Sequence, residues 1–316
     1  MKRSLTLRLG IVAVALLAAL LCIFGSRLTA DTTFPDVTGA DTRPKVALPK
    51  PPSGIQHVII VSFDGGKPAV IHDANMPVIK SMADGGAYTW EAQTIMPSIT
   101  LVSHTSMLTG LAPAKHKILW NEWKAERGPM TCSTVFSLAK ASGITTACIA
   151  GKEKFKHFNA PGAIDDFQVP DYHATKVAAV AADLIGSKKP GLMFVHFADP
   201  DGAGHEFGWG SDQQKQALAD SDAALGTLRD AVAKAGIAKS TVFIISADHG
   251  GHARTHGSRS PEDMTIPWIT SGAHVKKNFQ IDTPVITYDT TATALWLLGV
   301  KLPDDLDGQP VTIAYK

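Results

Sequence analysis

Residues 241–258 read TVFIISADHGGHARTHGS. Thr241-Val242-Phe243-Ile244-Ile245 is an unbroken, β-branched apolar run, the pattern of a strand buried on both faces. It stops at Asp248-His249-Gly250-Gly251, and His252 and His256 follow. Open α/β sheets bind ligands at the carboxyl ends of their strands, so an acid, an imidazole and two glycines at such an end mark a candidate site. Asp with His suits zinc, manganese or iron. The alternative is a polar loop with solvated histidines. The test is whether other strands end in matching ligands.

Two more do. Residues 57–63, HVIIVSF, run into Asp64-Gly65-Gly66, and residues 192–197, LMFVHF, run into Asp199-Pro200-Asp201 and then His205. In a parallel sheet these three ends share one edge, so Asp64, Asp201, His205, Asp248 and His249 can meet although they are far apart in the chain. A single terminal Asp is commonly a helix cap. Three such endings, two with histidine, point beyond capping. That many carboxylates at one edge would repel without a cation, and a pair of metal ions supplies the missing positive charge. The remaining pattern fits such a sheet. Helical stretches at 77–83, 103–108, 131–142, 174–185, 213–235 and 290–298 alternate with strands near 88–92 and 144–150. This alternation predicts an α/β three-layer sandwich with a mostly parallel central sheet, formed by one domain over residues 55–316. The insert between Thr100 and Thr131, rich in Trp, Lys and Gly, is expected to cover the site.

The 316 residues are 45% hydrophobic and 19% charged, an ordinary globular balance. Residues 1–30 hold Lys2, Arg3, Arg8 and Arg27 and no acid, so the remainder has 26 basic against 29 acidic residues. Nothing there suggests a nucleic-acid surface. The basic start, the apolar run to Phe24 and Leu28-Thr29-Ala30 form a secretory signal pattern, with an uncleaved N-terminal anchor as the competing reading. Both place the rest of the chain outside the cytoplasm, periplasmic or secreted. Residues 31–54 are Pro-rich and aperiodic, the composition of a linker. Export permits a Cys132–Cys148 disulfide, but two free thiols are the favoured reading.

Asp64, the segment Pro97-Ser98-Ile99-Thr100 leading to His104 and Leu108-Thr109-Gly110, Asp201-x-x-x-His205, Asp248-His249-Gly250 and His256-Gly257 together resemble the alkaline phosphatase superfamily. They are most similar to its type I phosphodiesterase/nucleotide pyrophosphatase branch, over nearly all of the chain from His57 onward. The resemblance implies an alkaline-phosphatase-like fold and two zinc ions. Asp64, Thr100, Asp248 and His249 would hold one zinc, and Asp201, His205 and His256 the other. His252 competes with His256 on position; His256 is preferred because Gly257 follows it, as in the family. Thr100 would be the nucleophile, forming a phosphothreonine. A bound metal lowers the pKa of a hydroxyl, which a threonine nucleophile needs at neutral pH. Read on its own, Thr100 fits a helix N-cap equally well. The substrate would be a small phosphoester or phosphonate. Membrane contact would come only through an uncleaved N-terminal segment.

Asn121 matches an asparagine that holds a phosphoryl oxygen in these relatives; otherwise it is a loop residue. Two positions depart from the nucleotide-cleaving pattern: Leu101 stands where an aromatic ring follows the nucleophile, and Ile99 where a lysine often precedes it. Lys152 and Lys154, after the strand ending at Ala150, resemble a lysine pair in relatives that cleave monoesters or phosphonoacetate. A dianion needs more positive charge than a diester. Their alternative is a solvated charged turn. Trp120 and Trp123 could supply the missing platform or simply pack. His104 reads as a supporting or structural residue, and His116, His157, His173, His196 and His274 show no visible partners. A phosphoethanolamine-type transferase and a non-catalytic metal-stabilised binding protein remain as alternatives. A sulfatase does not, since no Cys or Ser stands in a C/S-x-P-x-R pattern.

Overall fold

A computed structural model describes residues 41–316 apart from Val46. The expected signal or anchor and the first part of the expected linker therefore lie outside the described residues. Among the described residues no helix is long and apolar enough to cross a membrane. The elements are β1 (His57–Phe63), α1 (Pro68–Asp73), α2 (Pro77–Asp84), β2 (Ala87–Gln93), α3 (Thr100–Thr109), α4 (Pro113–His116), α5 (Val135–Ala141), β3 (Thr146–Ala150), β4 (Asp166–Gln168), α6 (Ala174–Ser187), β5 (Leu192–Phe197), α7 (Asp199–Phe207), α8 (Asp212–Lys234), β6 (Thr241–Ala247), α9 (Pro261–Met264), β7 (Thr265–Gly272), β8 (Phe279–Gln280) and α10 (Asp289–Leu297). A 3-10 helix, Glu153–Phe158, follows β3.

The strands form one eight-stranded sheet in the order β4-β3-β5-β1-β6-β7-β2-β8. Only β7 opposes the rest, pairing antiparallel with both β6 and β2. β5, β1 and β6 are neighbours and parallel, so the three ligand-bearing ends do lie side by side. Period-two alternation sends Val58, Ile60, Phe194 and Ile244 to one core, and Ile59, Val61, Val195 and Ile245 to the other. Both faces are apolar because helices cover both: α3, α5 and α10 on one side, α2, α6 and α8 on the other.

Several boundaries differ from the sequence pattern for physical reasons. α3 starts at Thr100, not 103, and all ten of its residues are buried, so it shows no amphipathic stripe to read. α5 starts at Val135, not 131, where Thr134 and Ser137 form a reciprocal capping box. Asp201 and His205 lie on a helix, α7, not in a loop. β7 went unread because Pro267 interrupts it. That proline falls where β2 bulges between Thr89 and Ala92, and its carbonyl accepts from Ser246 Oγ at 2.7 Å.

The described residues before Ile55 form no helix or strand but are tied to the domain. Arg43 donates to both carboxylate oxygens of buried Asp289, at 2.8 and 2.6 Å, and Pro49 O accepts from Trp296 Nε1. Cys132 and Cys148 are free thiols.

Candidate active site

The ends of β1 and β6 bury Asp64, Asp248 and His249 completely. Asp248 accepts the backbone N–H groups of Gly65 and His249 on Oδ1, at 3.1 and 3.0 Å, which leaves Oδ2 aimed elsewhere. Gly65 has φ 71°, and a Cβ there would sit 3.1 Å from the Asp201 backbone, so the turn that brings β1 against α7 requires glycine. On α7, Asp201 and His205 are four residues apart and so share a face, with His205 Nε2 at 3.3 Å from Asp201 Oδ1.

Three histidines share one arrangement. His249 donates Nδ1–H to Gly250 O at 2.8 Å, His256 donates Nδ1–H to Ser98 O at 2.8 Å, and His205 donates Nδ1–H to Arg254 O at 3.0 Å. A ring whose Nδ1–H is engaged this way presents an unprotonated Nε2 as a ligand. The Nε2 atoms of His205 and His256 face each other at 3.1 Å, a repulsive contact unless a cation or proton lies between them. Asp201, His205 and His256 form one candidate metal group, and Asp64, Asp201 and His249 another. Asp64 Oδ1, Asp201 Oδ1, Asp248 Oδ2 and His249 Nε2 are buried with no hydrogen-bond partner. Orphaned buried acceptors are rare and costly, and these four belong to adjacent ligand-type residues. The donor set, carboxylate oxygens and imidazole nitrogens, fits two divalent ions of the zinc class.

The charges agree. Burial and the nearby Asp64 carboxylate push Asp248 up to about 8. Burial disfavours the His249 imidazolium, but Asp248 and Asp64 outweigh it and hold the ring at about 9. Burial also opposes the Asp64 charge, yet Lys152, the hydrogen bond from His196 and the nearby His249 ring keep its carboxyl well below the usual range. Without a cation, the cluster keeps protons that a metal would displace.

Lys152 Nζ lies 2.6 Å from both Asp64 Oδ2 and Asp201 Oδ2 and thus bridges the two groups. Lys154 Nζ instead donates to Asn121 Oδ1 at 3.0 Å. Neither lysine is the solvated charged turn of the alternative reading. Thr100 is the first residue of α3, and its side chain makes no capping hydrogen bond, so the N-cap alternative fails as well. Its surroundings tie it to the site. Ser98 O holds His256, Leu101 N–H donates to Asn121 Oδ1 at 2.9 Å, and His104 Nδ1 lies 2.8 Å from Thr100 O and 3.4 Å from Asp248 Oδ2. Leu101 is fully buried and offers no surface for a base. His252 turns away from the cluster to Asp263 Oδ1, at 2.7 Å.

Four histidines without visible sequence partners prove to be engaged, His116 with Ser106 and His173 with Asp199 away from the cluster, and two at or beside it. His196, on β5, accepts Gly151 N–H on Nδ1 at 3.3 Å and so carries its proton on Nε2, which donates to Asp64 Oδ2 at 3.0 Å. His157 holds the segment that carries Asn121. Trp209, which the pattern did not single out, packs edge-on against His205 and donates Nε1–H to Gly65 O at 3.1 Å. Alternation could have flagged His196, since a histidine in a fully buried strand needs a polar partner; nothing local marks Trp209.

The sequence profile of type I phosphodiesterase / nucleotide pyrophosphatase matches residues 58–259. Venom phosphodiesterase 2 from Crotalus adamanteus is 24% identical over 222 residues, covering 63% of this chain and 27% of its own length. Ectonucleotide pyrophosphatase/phosphodiesterase family member 1 from Mus musculus is 25% identical over 218 residues, 61% of this chain and 24% of its own. The chain thus spans about a quarter of the length of these curated relatives. The solved structure of murine ectonucleotide pyrophosphatase / phosphodiesterase 5 matches with a TM-score of 0.69 at 15% identity, over 83% of this chain and 100% of that one, a likeness of fold. With the profile running from β1 past the end of β6 and the fold in agreement, the chain belongs to the type I phosphodiesterase / nucleotide pyrophosphatase family.

Proposed function

We propose that this protein is an exported phosphoester hydrolase that holds two divalent metal ions and transfers a phosphoryl group through Thr100. The observation that carries this reading is the set of four orphaned buried atoms, on Asp64, Asp201, Asp248 and His249, beside α3, whose His104 Nδ1 lies 3.4 Å from Asp248 Oδ2. Asp64, Asp248 and His249, with the Thr100 hydroxyl, would hold one ion, and Asp201, His205 and His256 the other. When bound, the ions lower the pKa of the attacking hydroxyl and neutralise charge on the entering and leaving oxygens. Thr100 Oγ1 attacks phosphorus in line, the bond to the leaving oxygen breaks, and a phosphothreonine forms. Water then cleaves the Oγ1–P bond and restores the hydroxyl. Asn121 Nδ2 holds a non-bridging oxygen through both displacements, and backbone N–H groups at the start of α3 favour the anion. Residues 1–30 support export, and the substrate is a small molecule rather than a nucleic acid.

A second reading, a phosphomonoesterase or phosphonate hydrolase, is favoured by Lys152. Its ammonium lies between the two ligand groups, and cations bound there would free it to meet a second phosphoryl charge. The test is a panel of aryl monoester, aryl diester, nucleotide diester and phosphonoacetate with metal-loaded protein. Thr100→Ala is expected to lower turnover by about 10³-fold or more while metal stays on Asp201, His205 and His256. Full activity in that variant contradicts the mechanism. A selective loss on monoesters in Lys152→Ala supports the second reading. Metal binding with no turnover on any substrate supports a binding protein instead.

A further inference from the structure

The 3-10 helix Glu153–Phe158 seats itself on the core and reaches outward from both ends. Phe155 packs against His104 and His196, with ring centroids 4.9 and 4.4 Å apart. One residue earlier, Lys154 Nζ donates to Asn121 Oδ1 at 3.0 Å, and Leu101 N–H donates to the same oxygen at 2.9 Å. Two donors on one atom identify it as the amide oxygen and leave Nδ2 pointing away from them. Two residues after Phe155, His157 is 1% exposed. It donates Nδ1–H to Gly128 O at 2.8 Å, and its Nε2 receives Lys124 N–H at 3.2 Å and Trp120 Nε1–H at 3.3 Å. Trp123 packs on the same ring, centroids 4.4 Å apart. His157 therefore grips the segment on both sides of Asn121, while Lys154 grips Asn121 itself.

At its ends the segment is tied by Ile118 and Met130, both buried in the core, with Met130 N–H donating to His157 O at 2.7 Å and Ile118 N–H to His116 Nδ1 at 3.1 Å; between them Arg127 stacks over Trp120 at 4.0 Å. Apart from the short 3-10 turn Ala125–Arg127, residues 117–131 form no helix or strand, and Leu119 is 60% exposed. Irregular backbone of this kind stays in one conformation only where side chains hold it. A catalytic amide displaced by 1 Å loses much of its effect.

We propose that Lys154 and His157 are positioning residues: together they hold residues 117–131 against the start of α3 and fix the Asn121 amide so that Nδ2 meets a phosphoryl oxygen. Lys154 thus acts through Asn121 and not on the charge of the substrate. This rests on the phosphoryl-transfer reading above, so one arm of the test needs no substrate.

The first arm is a double-mutant cycle in the metal-loaded protein. Lys154→Met keeps the apolar stem and removes the ammonium. It is expected to lower kcat by about 10-fold, with little change in KM and equally for monoester and diester. Lys154→Arg should recover most of that loss. In an Asn121→Ala background, Lys154→Met should cost less than about 2-fold, because the two act as one unit. Additive losses, or a loss confined to monoesters, overturn the proposal. The second arm is hydrogen exchange in His157→Leu. Exchange across residues 117–131 should rise by about 10-fold or more while β1, β5 and β6 keep their protection. Unchanged exchange there overturns the clasp. If the wild-type protein cleaves no ester, the phosphoester reading fails and hydrogen exchange alone decides the clasp. If His157→Leu does not fold, the Lys154 cycle decides it.

Discussion

The two halves of the candidate metal site are built differently. The inner half, Asp64, Asp248 and His249, sits at the ends of adjacent central strands with no solvent exposure. The outer half stands on α7 and on the loop after β6, and the His205 side chain is 45% exposed. Lys152 and His196 keep Asp64 charged, but Asp248 Oδ2 is buried with no partner and Asp248 is pushed up to about 8, so the inner half carries its full charge stably only with a further cation. In the outer half only His205 is open to water; the Asp201 and His256 side chains are each 7% exposed. Under the proposed function this difference divides the work: residues of the inner half would hold the ion that activates Thr100, and residues of the outer half the one that neutralises the leaving oxygen.

Exchanging the cost of each half breaks or sharpens this comparison. Asp248→Asn keeps the oxygen that accepts from Gly65 and His249, and its amide can donate to His249 Nε2. Turnover should fall by about 10²–10³-fold. The metal-free protein should nevertheless melt about 5 °C higher at pH 8, because a repelled buried charge is gone. His205→Ala should lose one of two ions by metal analysis and most of the activity, yet leave the metal-free melting temperature nearly unchanged. Equal effects on stability from the two variants would erase the distinction between the halves.

A smaller effect appears with pH. Asp248 and His249 have folded-state pKa values raised to about 8 and about 9. A raised value means stability that is complete below the unfolded pKa and lost as pH rises through the folded one. The metal-stripped protein should therefore lose melting temperature between pH 6.5 and 9. His256, pulled down to about 4 by burial and the His249 charge, titrates below that window. Asp248→Asn should flatten the slope, and saturating metal should abolish it. A melting temperature that rises across this range would contradict the charge balance drawn for the inner half.

Much of the inner half was legible in the chain because strand ends announce themselves. A run such as Val58-Ile59-Ile60-Val61 stops where the backbone leaves the core, and the next polar residue lies at the sheet edge by necessity. Asp201 and His205 were legible as a pair, though the helix that spaces them was not, since Pro200, Gly202 and Gly204 mask its propensity. β7 was hidden by Pro267, and the first turn of α3 by the helix's burial on all sides. The supporting contacts were least visible. His196 meets Asp64, and His157 meets Trp120, only because distant segments pack together. Lys152 and Lys154 looked like one pair, yet Lys152 precedes the 3-10 helix Glu153–Phe158 and Lys154 lies within it, so the chain turns between them and sends one to the carboxylates and one to Asn121.

The central claim is that phosphoryl transfer passes through Thr100. Metal-loaded protein mixed with an aryl phosphate ester, quenched in acid during turnover and digested, should yield the peptide containing Thr100 carrying one phosphoryl group, absent in Thr100→Ala. Steady turnover with no phosphate on that peptide at any quench time, and undiminished turnover in Thr100→Ala, would contradict the account.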